Sequence, residues 1–213
     1  MLCEQKNDQG VQLIFSGGTS LSKGYQLIQR FSEDLDFCLR MSEDQLLSSG
    51  QRRSFRRHLL AQLAEDRRFT IEDKEVQRGD SHRFFKAPVA YARSFPQSTL
   101  RPFLQLEMTF LEPRLPVEVR QIHSIAASIQ GEEAETSIAC ISPLETAGDK
   151  LSALTWRVLV RDRNAENDDP TMIRHLHDLA ALESVIAKQK TFFATTAQQS
   201  LEQDQSRRGG ETV

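Results

Sequence analysis

The most constraining stretch of the chain is Asp34-Leu35-Asp36-Phe37. Acidic and apolar residues alternate there, a pattern that suits a strand with one buried face. With a side-chain period of two, Asp34 and Asp36 project from one side while Leu35 and Phe37 enter a core. Two carboxylates held that close repel each other unless a cation lies between them. A solvated acidic turn is the simpler account of an isolated Asp-x-Asp, and the upstream sequence argues against it. Residues 11–15, VQLIF, read as a short apolar strand that runs into Ser16-Gly17-Gly18. Leu21, Tyr25 and Ile28 then recur at helical spacing, with Thr19 or Ser20 placed as the cap. Such a strand, glycine turn and helix start bring backbone N–H groups close to an anion, although many Gly-Gly pairs serve only a tight turn.

The remaining pattern predicts an α+β protein. Residues 52–68 form an amphipathic helix with Phe55, Leu59, Leu60 and Leu63 on one side and six arginines around the rest, a net charge of +4 against Glu65 and Asp66. Extended segments follow around 69–77, 82–93 and 100–111. The last alternates Leu104, Leu106, Met108 and Phe110 with Gln105, Glu107 and Thr109, so Glu107 lies on a polar strand face. An antiparallel meander continuing the first sheet is expected. From residue 142 the character turns helical. Ser142-Pro143-Leu144-Glu145 reads as a capping box, and Leu144, Ala147, Leu151, Leu154 and Val158 form a buried stripe. A polar loop over 163–169 leads to a second helix start at Asp169-Pro170, whose apolar face is Met172, Ile173, Leu176, Leu179, Ala180 and Ile186. The expected division is a sheet-and-helix core over 1–141, a helical part over 142–197, and a frayed tail over 198–213.

Composition narrows the function classes. The 213 residues suffice for one good-sized domain, or two small ones sharing a cleft, without disulfides. A hydrophobic share of 38% with 27% charged residues excludes wholesale disorder. No run approaches the roughly 18 apolar residues of a membrane span, and no apolar signal region opens the chain. Cys3, Cys38 and Cys140 are scattered and lack CxxC spacing, so neither a disulfide framework nor a zinc cage is expected. A cytoplasmic protein without membrane contact follows. The formal charge of −3 excludes a globally basic nucleic-acid binder but leaves room for a local basic patch.

Oxygen-only ligands such as Asp34 and Asp36 suit Mg²⁺, which takes one or two carboxylates and completes its shell with water and phosphate oxygens. Glu107 supplies a third carboxylate. The glycine turn, the Asp-x-Asp strand and the later carboxylate, in that order, are more specific than any one of them. FSGGTSLSKGYQLIQRFSEDLDF resembles the opening of the AbiEii/AbiGii-type toxins of the nucleotidyltransferase superfamily, which carry a GG[TS]-x-L-x-K turn and an S-x-D-[ILV]-D-[FL] strand. The resemblance continues through Lys150 to Arg157 (KLSALTWR), Arg161-Asp162, and Arg174-His-Leu-His-Asp178-Leu, and spans roughly residues 13 to 182.

The resemblance implies a nucleotidyltransferase fold: a mixed or antiparallel sheet with flanking helices, followed by a C-terminal helical part that completes the active-site cleft. It implies Asp34 and Asp36 as ligands of Mg²⁺, or of Mn²⁺ in its place, and Glu107 as metal ligand or general base. Gly17, Gly18, Thr19, Ser20 and Lys23 would hold the phosphates of an NTP substrate. Lys150 and Arg157 would clamp the triphosphate, and Asp178 would orient Lys150 or the acceptor. The implied activity is transfer of NMP from an NTP to RNA, tRNA first among acceptors, as the toxin half of a toxin–antitoxin pair with a cognate antitoxin. The alternatives are a catalytically silent nucleotide-binding or interaction protein of the same fold, and a kinase transferring the γ-phosphate. Only about ten residues precede the first strand and the region after Asp178 is short for the pattern, which a misplaced start codon, a truncated gene or a minimal variant would each explain.

Helical geometry adds further expectations. Lys150, Arg157 and Arg161 fall within roughly 20° of one line, bordering the apolar stripe of their helix, where cations line a cleft or merely snorkel. Asp178 falls nearly opposite Leu176, which by periodicity makes it a solvent-facing partner of Arg174. His175 and His177 point about 200° apart and cannot chelate one ion. The basic helix over 52–68 is either a solvated face or an RNA-backbone contact.

Overall fold

The computed structural model describes residues 10–30, 32, 34–41, 47–92, 101–160 and 171–207. Cys3, Arg161, the 163–169 loop, the Asp169-Pro170 helix start and the chain end after 207 lie outside the described residues. The chain divides into two compact units. The first comprises residues up to 26, 30–113 and 117–140; the second comprises 27–29, 114–116 and 141 onward.

The first unit holds β1 (Val11–Ser16), α1 (Gly17–Lys23), β2 (Asp34–Met41), α2 (Ser49–Glu65), β3 (Phe69–Thr70), β4 (Gln77–Gly79), β5 (Phe84–Tyr91), β6 (Phe103–Phe110), β7 (Glu118–Ile122), α3 (Ile125–Gln130) and β8 (Thr136–Cys140). Its strands form one mixed sheet in the order β3-β5-β6-β2-β1-β8-β7, with β4 also paired to β5. β2 lies between β1, antiparallel, and β6, parallel. The expected meander is therefore only partly antiparallel: β5 and β6 form an antiparallel pair, and β6 joins the first sheet by a parallel edge. β3 and β4 stand in place of one strand over 69–77, because a single turn of 3₁₀ helix at Asp73–Glu75 interrupts it. β7, α3 and β8 carry no sequence expectation: each spans only five or six residues, too few for a periodic pattern to stand out.

One sheet face is apolar. Phe37, Leu39, Phe85, Ala87, Val89, Leu106, Met108 and Phe110 share a core with Phe55, Leu59, Leu60 and Leu63 of α2. Phe55 meets Phe110 edge-on at 5.6 Å, and Phe15 stacks on Phe37 at 5.2 Å. α2 begins at a reciprocal cap: the Gln51 backbone N–H donates to Ser48 Oγ at 3.3 Å, and the Gln51 side chain accepts from the Ser48 N–H at 2.8 Å.

The second unit is helical: α4 (Pro143–Val160), α5 (Thr171–Ala181), α6 (Glu183–Lys188) and α7 (Lys190–Arg207). α7 runs nine residues past the expected start of a frayed tail at 198. Its polar sequence hides a packed face: Thr196, Ala197 and Ser200 are buried, and a Cβ on Gly148 of α4 would lie 3.2 Å from atoms of each of them. Ser152 Oγ donates to Asp204 at 2.7 Å and Ser200 Oγ to Asp149 at 2.9 Å. The box at α4 is half made. The Leu144 N–H donates to Ser142 Oγ at 3.3 Å, whereas the buried Glu145 carboxylate accepts the N–H groups of Arg114 and Leu115 at 3.0–3.1 Å.

α5 is rotated from its expected orientation. Ile173 and Leu176 are 73% and 54% exposed, and Asp178 is fully buried. A helix whose apolar stripe would put Asp178 in solvent instead turns it inward, because Lys150 of α4 waits there with Nζ 2.7 Å from Asp178 Oδ2. No described helix is long and apolar enough to cross a membrane.

Candidate active site

The register of four strands assembles the site. Asp36 lies opposite Glu107 and Asp34 opposite Gln105 in the parallel β2–β6 pair. Lys86 lies opposite Glu107 on β5, and Ser16 opposite Asp36 on β1. Lys86, Glu107, Asp36 and Ser16 thus form one row across four strands, on the face away from α2. Asp34 stands two residues from Asp36 on that same face, as the alternation requires. All three carboxylates are half-buried.

The glycine turn closes on this row. Gly17 opens α1 with φ +68°, and a Cβ there would lie 1.9 Å from Asp36 Oδ2 and 2.9 Å from Asp36 Cβ. Only glycine allows both that conformation and that approach. Thr19 is not the helix cap expected from sequence. Ser16 holds the N-cap position without a side-chain bond, and the Thr19 hydroxyl instead donates to the Asp34 carbonyl oxygen, tying α1 to the start of β2. Ser20 is fully buried with its hydroxyl unpartnered among the described residues, so it supports the turn from beneath and is not presented to a ligand. Lys23, in the last turn of α1, is half-buried.

Three cations that the sequence reading did not single out sit in this site. Arg101 Nη2 donates to Asp34 Oδ1 at 2.6 Å. Lys86 Nζ pairs with Glu107 Oε1. Arg30 reaches the turn, where a Cβ on Gly18 would lie 2.6 Å from its Nη2. Lys86 had a readable signal: it alternates with the buried Phe85 and Ala87 and so must share the polar face. Arg30 and Arg101 had none, because loops bring them in. Positive charge beside converging carboxylates offsets their mutual repulsion.

The donor set is all oxygen, two carboxylates on alternate residues of one strand and a third in register on the next. That chemistry fits Mg²⁺ or Mn²⁺. Among the described residues no three His, Cys, Asp or Glu side chains are grouped closely enough to hold one ion. The fit is therefore that of the two aspartates, with water and phosphate oxygens completing the shell, while Glu107 is engaged by Lys86.

In the second unit, Lys150 and Asp178 form the buried pair described above, and His177 Nδ1 lies 3.5 Å from Asp178 Oδ1. Arg157 Nη1 donates back to the Ala153 carbonyl at 3.4 Å.

The sequence profile of a family described as nucleotidyl transferase AbiEii toxin, type IV toxin–antitoxin system, matches residues 1–211. No curated protein matches the chain. Among solved structures it is similar to MenT4, a nucleotidyltransferase toxin of Mycobacterium tuberculosis, with a TM-score of 0.43 and 22% identity over 71% of this chain and 47% of that one. It is also similar to JHP933 of Helicobacter pylori, with a TM-score of 0.44 and 20% identity over 83% of this chain and 59% of that one. The chain spans about half the length of these solved relatives.

Proposed function

The chain belongs to the AbiEii family of nucleotidyl transferase toxins, and from that premise we propose that it transfers NMP from an NTP to an RNA acceptor, a tRNA first among them, with Asp34 and Asp36 holding Mg²⁺. The observation that carries this reading is the alignment of Asp34, Asp36 and Glu107 on one sheet face, with the Gly17 backbone against Asp36. A divalent ion at the aspartates would supply charge neutralisation on the triphosphate. The chain's own groups do the rest. The Gly17-Gly18 turn, Thr19 and Lys23 hold phosphate oxygens, and Arg30 adds a guanidinium beside them. Glu107 takes the proton of the acceptor hydroxyl as its oxygen bonds to the α-phosphorus, the bond to the bridging β-phosphate oxygen breaks, and pyrophosphate leaves. The reading keeps for Lys150, held by Asp178, and for Arg157 the triphosphate-binding role implied by the sequence resemblance. A cognate antitoxin is the partner expected of a type IV toxin.

The test is incubation with total RNA, Mg²⁺ and each NTP labelled at the α- or the γ-phosphate, beside Asp34→Ala/Asp36→Ala. Label from the α-phosphate alone, entering a tRNA-sized band with wild type only, is the expected result. Label from the γ-phosphate would make the protein a kinase and refute the reading. A second reading, nucleotide binding without turnover, is favoured by the Arg101–Asp34 and Lys86–Glu107 pairs. NTP that binds the folded protein and transfers to nothing decides for it.

A further inference from the structure

Away from the carboxylates, on the α2 side of the sheet, arginines gather in two clefts of about 450 and 500 Å³ that share Arg53, Arg57 and Ala61. Arg56 and Arg78 line the first of them as well, with Asp73 as its one carboxylate, and Arg78 already engages Asp73 at 2.7 Å. Arg53 and Arg57 are exposed and have no acidic partner among the described residues. Arg56 is 2% exposed, yet its Nε has no hydrogen-bond partner among the described residues. Burying a guanidinium donor unsatisfied is costly, and here it lines a cleft large enough to admit an acceptor.

The surroundings hold that group in place. Arg56 Nη1 lies 3.1 Å from His82 Nδ1, and Arg52 donates to the Ser81 carbonyl from Nε and Nη2 at 3.2 and 3.0 Å. The turn they grip carries positive φ at three successive non-glycine residues, Asp80, Ser81 and His82, a conformation that persists only when its neighbours enforce it. Burial, followed by the charges of Arg56, Arg53, Arg78 and Arg52, pushes the His82 imidazole below its ordinary value, so neutral His82 accepts from Arg56. Arg56 itself is pushed down, first by burial and then by Arg78. An anion in the cleft would relieve both.

We propose that this arginine cleft binds consecutive phosphates of an RNA strand, as a site separate from the carboxylate row. Arg53 and Arg57 are one helical turn apart, a rise of about 6 Å, close to the separation of neighbouring phosphates along a strand. Guanidinium forks match phosphate oxygens bidentately. Leu60, Ile71, Ala61 and Ala64 supply an apolar wall on which a ribose or base can lie. Because the carboxylates lie on the opposite sheet face, the cleft holds the body of an acceptor and not its reacting end. The inference rests on the proposed function only for calling that RNA an acceptor.

The test is fluorescence anisotropy with a labelled single-stranded oligoribonucleotide and with tRNA, across a salt series and without NTP, so its outcome is independent of whether nucleotide transfer occurs. Arg53→Gln/Arg57→Gln changes only exposed side chains, and Arg56→Met tests the buried one. The double variant is expected to bind about tenfold more weakly, with a slope of log K against log salt shallower by about 1.4, two phosphates at 0.7 each. An unchanged affinity and slope overturn the proposal. Displacement of RNA by equimolar sodium triphosphate also overturns it, since the cleft would then be a small-anion pocket. So does a variant that keeps RNA but loses polyglutamate, which would make the surface a dock for an acidic protein.

Discussion

Gly17→Ala tests how the turn and the carboxylate row depend on each other. The new side chain must adopt φ +68°, which costs roughly 1–2 kcal/mol for an L-residue, less about 0.4–1 kcal/mol recovered from a stiffer unfolded chain. Its Cβ must also clear Asp36 Oδ2 at 1.9 Å, Cγ at 2.7 Å and Cβ at 2.9 Å. Swinging the carboxylate away relieves the first two contacts but not the third, so β2 or α1 has to shift, an overpacking cost of about 1–3 kcal/mol. The expected total is about 2–4 kcal/mol, read as a lower urea midpoint or as a fall in Tm of about 2–4 °C per kcal/mol for a chain of this size. Gly131→Ala is the internal control. Gly131 has φ +69° and nothing within 4 Å of a new Cβ, so it bears the conformational term alone, about 1 kcal/mol or less. The excess at position 17 measures the contact with Asp36, and Gly17→Ala/Asp36→Ala should recover part of it in a double-mutant cycle. α-Phosphate transfer should disappear in Gly17→Ala and persist in Gly131→Ala. Equal stability costs at the two glycines, or full activity in Gly17→Ala, would refute the reasoning.

Further outcomes are expected from the second unit. Lys150→Met removes the ammonium 2.7 Å from the fully buried Asp178 carboxylate and should lower stability by up to about 3–5 kcal/mol in urea denaturation; Asp178→Asn in the Lys150→Met background should recover part of that loss. Glu145→Ala strips the acceptor from the Arg114 and Leu115 N–H groups and should cost about 2–4 kcal/mol, whereas Glu145→Gln keeps an oxygen there. Burial raises the Glu145 carboxyl above its ordinary value, against the lowering by those N–H groups and Arg114. A raised folded value means its stabilising share is complete below about pH 4.5 and is lost as pH rises through the folded value. The stability of Glu145→Gln relative to wild type should therefore climb with pH across that window and then level off; a pH-independent difference would show that Glu145 titrates normally.

Local pattern determined much of this protein. The alternation at 34–37 placed Asp34 and Asp36 on one face and Phe37 in the core, because a strand's side-chain period admits no other arrangement once one face is buried. The Gly17-Gly18 turn, the α2 core residues Phe55, Leu59, Leu60 and Leu63, and the polar parity of Glu107 were legible for the same reason: each depends on neighbours within a few residues. Tertiary structure alone decided which strands adjoin. The parallel β2–β6 register puts Glu107 beside Asp36, the β5–β6 register puts Lys86 against Glu107, and a distant loop delivers Arg101 to Asp34. Pairing across 21 to 71 residues leaves no local periodic trace. α5 shows the limit most clearly. Its periodicity favoured burying Ile173 and Leu176, but a buried lysine on α4 requires a carboxylate opposite it, and leaving that charge unpaired would cost more than exposing two apolar side chains. The helix turned Asp178 inward for that reason.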